Sequence, residues 1–377
     1  MNTELQRIAN LLERARRAEE VFGDLNCQSA EMSSSLQKSY RQLAKITHPD
    51  GYSAPDDQAA AQIAFARLTD WYRSAQARIQ AGVYGTNSIL DDWRVVLHAS
   101  QHDYLLENSY SEGPIYTSYP ASFNQDGQRV PVRIKIIRDP QNNDLGENEA
   151  RAMQTLMSGK AVKKFGNYLP RLLDSFYYAE DGSFRLVNVF EDQQQWVALS
   201  DVHKAYPRGL DPKEVSWIWR RVLVALGFAH LNGLIHGAVL PCNILILPAL
   251  HGLRLQEWSY SLAMADAENG AYLSALDPAY AGWYPEEVQR AEPPLPGTDI
   301  EMAARCMIEL LGGDPRSKSI PASLPAPLRA FFKGCTLAGK RSRPQDAWAL
   351  KDEYEELIEQ LWGKQKFHPF VMHPINQ

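Results

Sequence analysis

The strongest constraint on folding in this sequence is a change of hydrophobic period near residue 82. Before it, Ala61, Phe65, Leu68, Tyr72, Ala75 and Ile79 alternate four and three apart, a seam suited to laying one helix on another. After it, segments such as GPIYTSY and VPVRIKII alternate side by side, the period of a half-buried strand. A helical N-terminal region is therefore expected to precede a mixed α/β one. The Ala/Gln/Arg-rich stretch ends at Ala81-Gly82, and glycine stops a helix readily because it enters the left-handed region without steric cost. The expected organisation is 1–81, a linker at 82–92, a larger unit at 93–362 and a tail at 363–377.

A chain of 377 residues has room for two or three domains. Its 45% hydrophobic and 22% charged residues are ordinary for a globular protein. The formal charge of −6 does not favour a nucleic-acid partner, which usually meets a basic excess. Cys27, Cys242, Cys306 and Cys335 are scattered without a CxxC pair, so neither a metal centre nor a disulfide framework is indicated. The N-terminus carries charges throughout and lacks the apolar core of a signal peptide. The most apolar run, around 234–250, is broken by His236, Pro241 and Pro248, which argues against a membrane span. A reduced, cytoplasmic setting is expected.

Within the first region a helix is expected over about 4–24. A second, capped by Ser33, Ser34 or Ser35, should run to about Thr47. Its apolar residues Leu36, Tyr40, Leu43, Ala44 and Ile46 fall mostly on one stripe, and Lys38, Arg41 and Lys45 follow three-four spacing on another face. A third helix is expected from near Asp57. Between the last two lies THPDGYSAPDD, a loop rich in turn formers, in which Pro49 holds the backbone extended and presents its polar neighbours outward. YRQLAKITHPD followed by FARLTDWYRSA resembles the J domain of DnaJ-type co-chaperones over roughly residues 14–81. The resemblance implies that His48, Pro49 and Asp50 contact the ATPase domain of an Hsp70 and speed its ATP hydrolysis. It implies also that Lys38, Arg41 and Lys45 steer docking onto an acidic Hsp70 surface. Basic and acidic residues are equally numerous over 1–81, so the positive charge is a local face, suited to an oriented and salt-sensitive encounter. The absence of a Gly/Phe-rich stretch or cysteine-rich module places the resemblance in the miscellaneous class of the family.

The second region reads as strands, the short helix Glu147–Ser158, two further strands around Asp181-Gly182, and then a long helix with Pro212 near its start and Gly233 after its end. Trp217 and Trp219 face different sides of that helix, one expected in the core and the other on a partner surface. The helix leads into IHGAVLPCNIL. Over about 103–362 this order resembles the two-lobed α+β protein kinase fold, with a small lobe at about 93–192 and a large lobe at about 193–362. The resemblance implies that Lys135 in VRIK is the phosphate-binding lysine, with Glu149 as its salt-bridge partner and Glu147 as second choice. HGAVLPCN matches the catalytic loop: His236 and Asn243 are kept, Ala238 replaces the aspartate and Leu240 the lysine. LRLQEWS matches the metal-binding turn with Glu257 for the aspartate. Glu286 in YPEE is the implied partner of Arg343, and Asp299 the anchor of the catalytic-loop backbone. The loop resembles that of aminoglycoside- and choline-type kinases as well, which need the same aspartate.

Phosphoryl transfer needs a group that orients the attacking hydroxyl and accepts its proton. Alanine can do neither, and losing such a base typically costs ~10²- to 10⁴-fold in rate. Leu240 removes a second charge, and the Gly-rich loop is reduced to Gly113 in NSYSEGPIY, whereas a phosphate cradle needs several glycines for close N–H approach. A pseudokinase is expected, with no catalytic residue. Binding of ATP and magnesium through Lys135, Glu149, Asn243 and Glu257 stays open but is not favoured. The expected function is a J-domain co-chaperone whose kinase-like unit binds a client or regulatory partner. The alternatives are a pseudokinase scaffold in a signalling or defence complex, or an atypical kinase using Asp266 or Glu268. The tail, with His368 and His373, reads as an extended terminus rather than a metal site.

Overall fold

The structure is a computed structural model that describes residues 3–15, 18–23, 25, 29–52, 54–80, 84, 96–99, 102–107, 109–180, 183–192, 195–364 and 366–372. It divides into two units, Met1–Val95 and Val96–Gln377.

The described elements of the first unit are helices: α1 (Thr3–Arg14), α2 (Ala18–Phe22), α3 (Ser29–Thr47) and α4 (Pro55–Gln80). The helix expected over 4–24 is thus broken in two. Helix α3 starts at Ser29, so Ser33, Ser34 and Ser35 lie inside it rather than at its N-terminus. The heptad-like seam of α4 does what its spacing predicts: Ala61, Leu68, Ala75 and Ile79 are buried, against Leu36 of α3 and Leu5, Ile8 and Leu12 of α1. Tyr40 and Tyr72 stack across the α3–α4 seam with ring centroids 4.2 Å apart. The expected linker lies outside the described residues apart from Tyr84, which is buried in this unit and donates its hydroxyl to the Gly23 carbonyl at 2.8 Å.

The second unit opens on a seven-stranded antiparallel sheet. Its strands are β1 (Val96–His98), β2 (Asp103–Leu106), β3 (Ser111–Glu112), β4 (Tyr116–Gln125), β5 (Gln128–Ile137), β6 (Leu172–Glu180) and β7 (Ser183–Glu191). They lie in the order β1-β2-β4-β5-β7-β6, with β3 paired to β4. Alternation sorts the two faces. Val132, Ile134, Val187 and Val189 join Leu97, Tyr104, Leu106 and Phe123 in a core on one face. The other face carries Lys135 opposite Ser118 of β4 and Asn188 of β7, and is covered by α5 (Asn143–Ser158). Gly146 allows that contact: a Cβ there would sit 2.6 Å from Leu186 Cδ2.

The chain then continues through α6 (Val162–Phe165), β8 (Val197–Ala198), α7 (Leu199–Ala205), α8 (Pro212–Leu231), β9 (Leu234–Ile235), β10 (Ile244–Leu247), β11 (Gly252–Leu255), β12 (Leu262–Ala263), α9 (Met264–Glu268), α10 (Glu286–Gln289), α11 (Pro296–Leu310), α12 (Ala326–Cys335) and α13 (Ala347–Trp362). Helix α8 is buried over Val215–Trp219 and Val222–Ala229, with Lys213 and Arg221 at its exposed edge, because it runs through the core of this half. Trp219 packs against Phe332 and Tyr354, and Trp217 is equally buried, stacked on His251 at 4.2 Å. Neither tryptophan is the exposed partner surface expected of one of them. No described helix is long and apolar enough to cross a membrane.

Candidate functional site

Two groups of residues bring polar chemistry together, one in each unit. In the helical unit, His48 leaves α3 with extended backbone, and Pro49–Gly51 form a 3-10 turn between α3 and α4. Proline suits the first position of such a turn because its φ is already set and its missing N–H is not needed there. The Asp50 N–H donates to His48 Nδ1 at 3.3 Å, and the His48 ring meets Phe65 edge-on at 5.2 Å. Tyr52 pins the far side of the turn by donating to the Ile46 carbonyl at 2.5 Å. The side chains of His48 and Asp50 stay largely outside, 49% and 84% exposed, so the turn is held from beneath while its polar groups face solvent. Lys38, Arg41 and Lys45 are exposed on one face of α3 and line a single shallow depression with Ser34, Gln37 and Gln42. None of the three makes an ion pair with a described residue.

In the α/β unit the polar cluster is buried. Lys135 Nζ donates to Glu149 Oε1 at 2.6 Å and to Glu257 Oε2 at 3.1 Å. Glu147, the second choice of partner, instead receives the Tyr177 hydroxyl at 2.5 Å. Glu149 lies three residues beyond Gly146 on α5, which turns it to the sheet, and Asn188 donates to its other oxygen at 3.2 Å. Glu257 comes from the turn after β11 with φ +70°. A left-handed non-glycine residue costs roughly 1–2 kcal/mol, and the surroundings of this turn hold it: Trp258 is fully buried, and Asn148 of α5 donates to the carbonyls of Ser259 and Ser261 at 3.0 and 2.8 Å. Glu257 Oε1 is buried without a hydrogen-bond partner among the described residues.

Tyr116 completes this cluster and was not singled out from the sequence. It stands two residues from Ser118, the cross-strand partner of Lys135, and so points to the same face of the sheet. Its hydroxyl donates to Glu257 Oε2 and its ring lies 4.4 Å from the Lys135 ammonium, with Phe190 at 5.1 Å on another side. Burial works against the Lys135 charge, but Glu149 and Glu257 outweigh it and hold the ammonium above its ordinary pKa. Burial pushes the Glu149 carboxyl above the usual range, against the pull of Lys135. Burial, then Glu257 and Glu149, push the Tyr116 hydroxyl well above its ordinary value. The NQDGQ turn joining β4 to β5 was the available signal for Tyr116, since it sets the register, but it does not reveal that Glu257 meets this face from far along the chain.

The loop after β9 is fixed by backbone contacts. Asp299 of α11, fully buried, accepts the N–H of His236 at 2.8 Å and of Gly237 at 2.9 Å. His230, also missed, meets the same carboxylate at 2.9 Å. Gly237 has φ +76°, and a Cβ there would come within 2.6 Å of the Tyr260 carbonyl oxygen. His236 uses both ring nitrogens: Nε2 donates to the Gln256 carbonyl at 2.9 Å, and Nδ1 accepts the Ala238 N–H at 3.1 Å. Burial, the largest influence, lowers its pKa, which fits this neutral tautomer. Asn243 donates its amide to the Ala238 carbonyl at 2.9 Å, while Ala238 and Leu240 are fully buried.

One expected pairing needs correction. Arg343 does not meet Glu286, which is exposed and bonds to Arg290 at the end of α10. Its partners are Glu287, at 2.5 and 3.0 Å, and Glu301 of α11 at 2.7 Å. The first turn of α10 rotates Glu287 inward and Glu286 outward. Asp266 and Glu268 lie on the short helix α9, and their side chains are in none of the contacts around Lys135. No group of three or more His, Cys, Asp or Glu side chains among the described residues is placed to hold a metal ion. His373 lies outside the described residues.

No family model matches this chain, and no curated protein matches it.

Proposed function

We propose that this protein is a cytoplasmic J-domain co-chaperone with a pseudokinase unit. The helical unit recruits a DnaK-type Hsp70 and stimulates its ATP turnover through His48, Pro49 and Asp50. The kinase-like unit, two-lobed and without phosphoryl-transfer activity, presents a surface to a client or complex partner. The observation that carries the reading is the His48–Asp50 turn, pinned from beneath and open above, beside three exposed cations on one helix face that make no ion pair with a described residue. Such a face gives oriented, salt-dependent encounter with an acidic surface, and the turn supplies the specific contact.

The inactivity of the second unit is supported by what its loop residues already do. His236 has no free ring nitrogen, Asn243 bonds the loop backbone, and Ala238 offers no base. ATP and magnesium are accordingly not assigned as cofactors. The test is Hsp70 ATP turnover with the full-length protein. His48→Gln should abolish stimulation, and charge reversal at Lys38, Arg41 and Lys45 should weaken it with a reduced dependence on salt. Stimulation that survives His48→Gln would sink the reading and leave the scaffold alternative, in which the helical unit is only a docking element.

A further inference from the structure

We infer that Tyr116 and Glu257 form an internal clasp that stands in place of a bound anion at Lys135 and closes the kinase-like unit without any ligand. This deepens the pseudokinase reading above and rests on it.

A lysine ammonium has three N–H donors. Here Glu149 and Glu257 take direct hydrogen bonds from it, and the Tyr116 and Phe190 ring centroids lie 4.4 and 5.1 Å away. Two of the three donors are thus taken and the side chain is buried, which leaves a phosphate oxygen at most one donor. The charge balance acts in the same sense: one ammonium faces two carboxylates, both buried, so an incoming anion meets a net negative site at low dielectric. The same contacts join separate parts of the unit. Tyr116 and Lys135 belong to adjacent strands of the sheet, Glu149 to the helix covering it, and Glu257 to the turn after β11, well over a hundred residues along the chain. Asn148 adds a parallel tie from α5 to the backbone of that turn. Tyr116 is thus the residue that decides what this site excludes: its ring covers the ammonium and its hydroxyl holds the carboxylate against it.

The test uses the full-length protein, with ATP and inorganic tripolyphosphate as probes at millimolar concentration. The unsubstituted chain should show no thermal shift with either. Tyr116→Ala combined with Glu257→Gln frees the ammonium from both the ring and one charge. The double variant should melt a few degrees higher (~2–4 °C) with tripolyphosphate or ATP, and the shift should vanish when Lys135→Ala is added. A cooperatively melting double variant that ignores both probes overturns the clasp, as does an unsubstituted chain that ATP stabilises as strongly. If the double variant does not fold, hydrogen exchange on the unsubstituted chain decides. Segments 113–117 and 256–261 should be protected without ligand and unchanged by ATP; rapid exchange that ATP slows overturns the inference. Phosphate transfer by the protein would refute the pseudokinase reading. ATP binding without transfer would refute the clasp alone.

Discussion

Glu286 and Glu287 differ by one position and by all of their surroundings. Removing one member of a buried, hydrogen-bonded pair typically costs about 3–5 kcal/mol, because it strands the other charge. In Glu287→Gln, however, Arg343 keeps Glu301, so that variant should destabilise the α/β unit by less, about 1.5–3 kcal/mol, and Glu286→Gln by no more than about 0.5 kcal/mol, as for ordinary surface changes. Urea denaturation of the full chain with a probe in this unit measures both. The Glu287 carboxyl also gives a pH signature. Burial alone would raise its pKa, but the Arg343 hydrogen bonds outweigh burial and hold it below the usual value. The stability it contributes is present above the ordinary carboxylate pKa and is lost as pH falls through the lowered one. That acid-side loss should flatten in Glu287→Gln. The resemblance marked the arginine and named Glu286 as its partner, whereas the short helix turns the adjacent Glu287 inward. Lys135 and Glu149 were named through the resemblance of VRIK and the helix after it, and the two side chains meet. Tyr116 was not named, since its role depends on a cross-strand neighbour.

At the scale of elements, periodicity was the most legible signal. The α4 seam was readable at Ala61, Leu68, Ala75 and Ile79, which are buried, while Phe65 and Tyr72 are half-buried and Ala64, outside the expected seam, is buried as well. Leu68→Ala should cost the helical unit about 2–5 kcal/mol, measured by thermal or chemical unfolding followed through that unit. Element starts were less legible: the serine run in α3 has the composition of a cap, yet the helix begins at Ser29. The described residues of the tail have no regular structure, in keeping with an extended terminus, but they are anchored. Residues 366–372 are not simply extended into solvent: Phe370 is buried near Tyr206, and His368 Nε2 meets Glu214 Oε1 at 2.6 Å beside His251, which Phe367 also touches. The hydrogen bond to Glu214, then the Lys366 carbonyl and the charges of Glu214 and Asp211, raise the pKa of His368. A raised histidine contributes fully below its ordinary pKa and loses that contribution as pH rises through the raised one. Limited proteolysis of the tail should accelerate on the alkaline side, and His368→Gln should remove that pH dependence. A tail equally resistant across the range would refute this assignment.

For the whole molecule, the change of period near residue 82 foretold a helical unit followed by an α/β one, and the described units divide at Val95 and Val96. Composition could not foretell how the second unit fills its own charged centre, because that depends on residues brought together across more than a hundred positions. On the proposed function, this protein directs the ATP turnover of another protein and performs none itself. The most direct test is to follow the γ-phosphate of labelled ATP in single-turnover reactions with the full-length protein, with and without a DnaK-type Hsp70. Label should appear as free phosphate, faster with both proteins present than with Hsp70 alone, and the acceleration should be lost in His48→Gln and kept in Lys135→Ala. Label transferred to protein without Hsp70, or acceleration indifferent to His48, would contradict the proposed function.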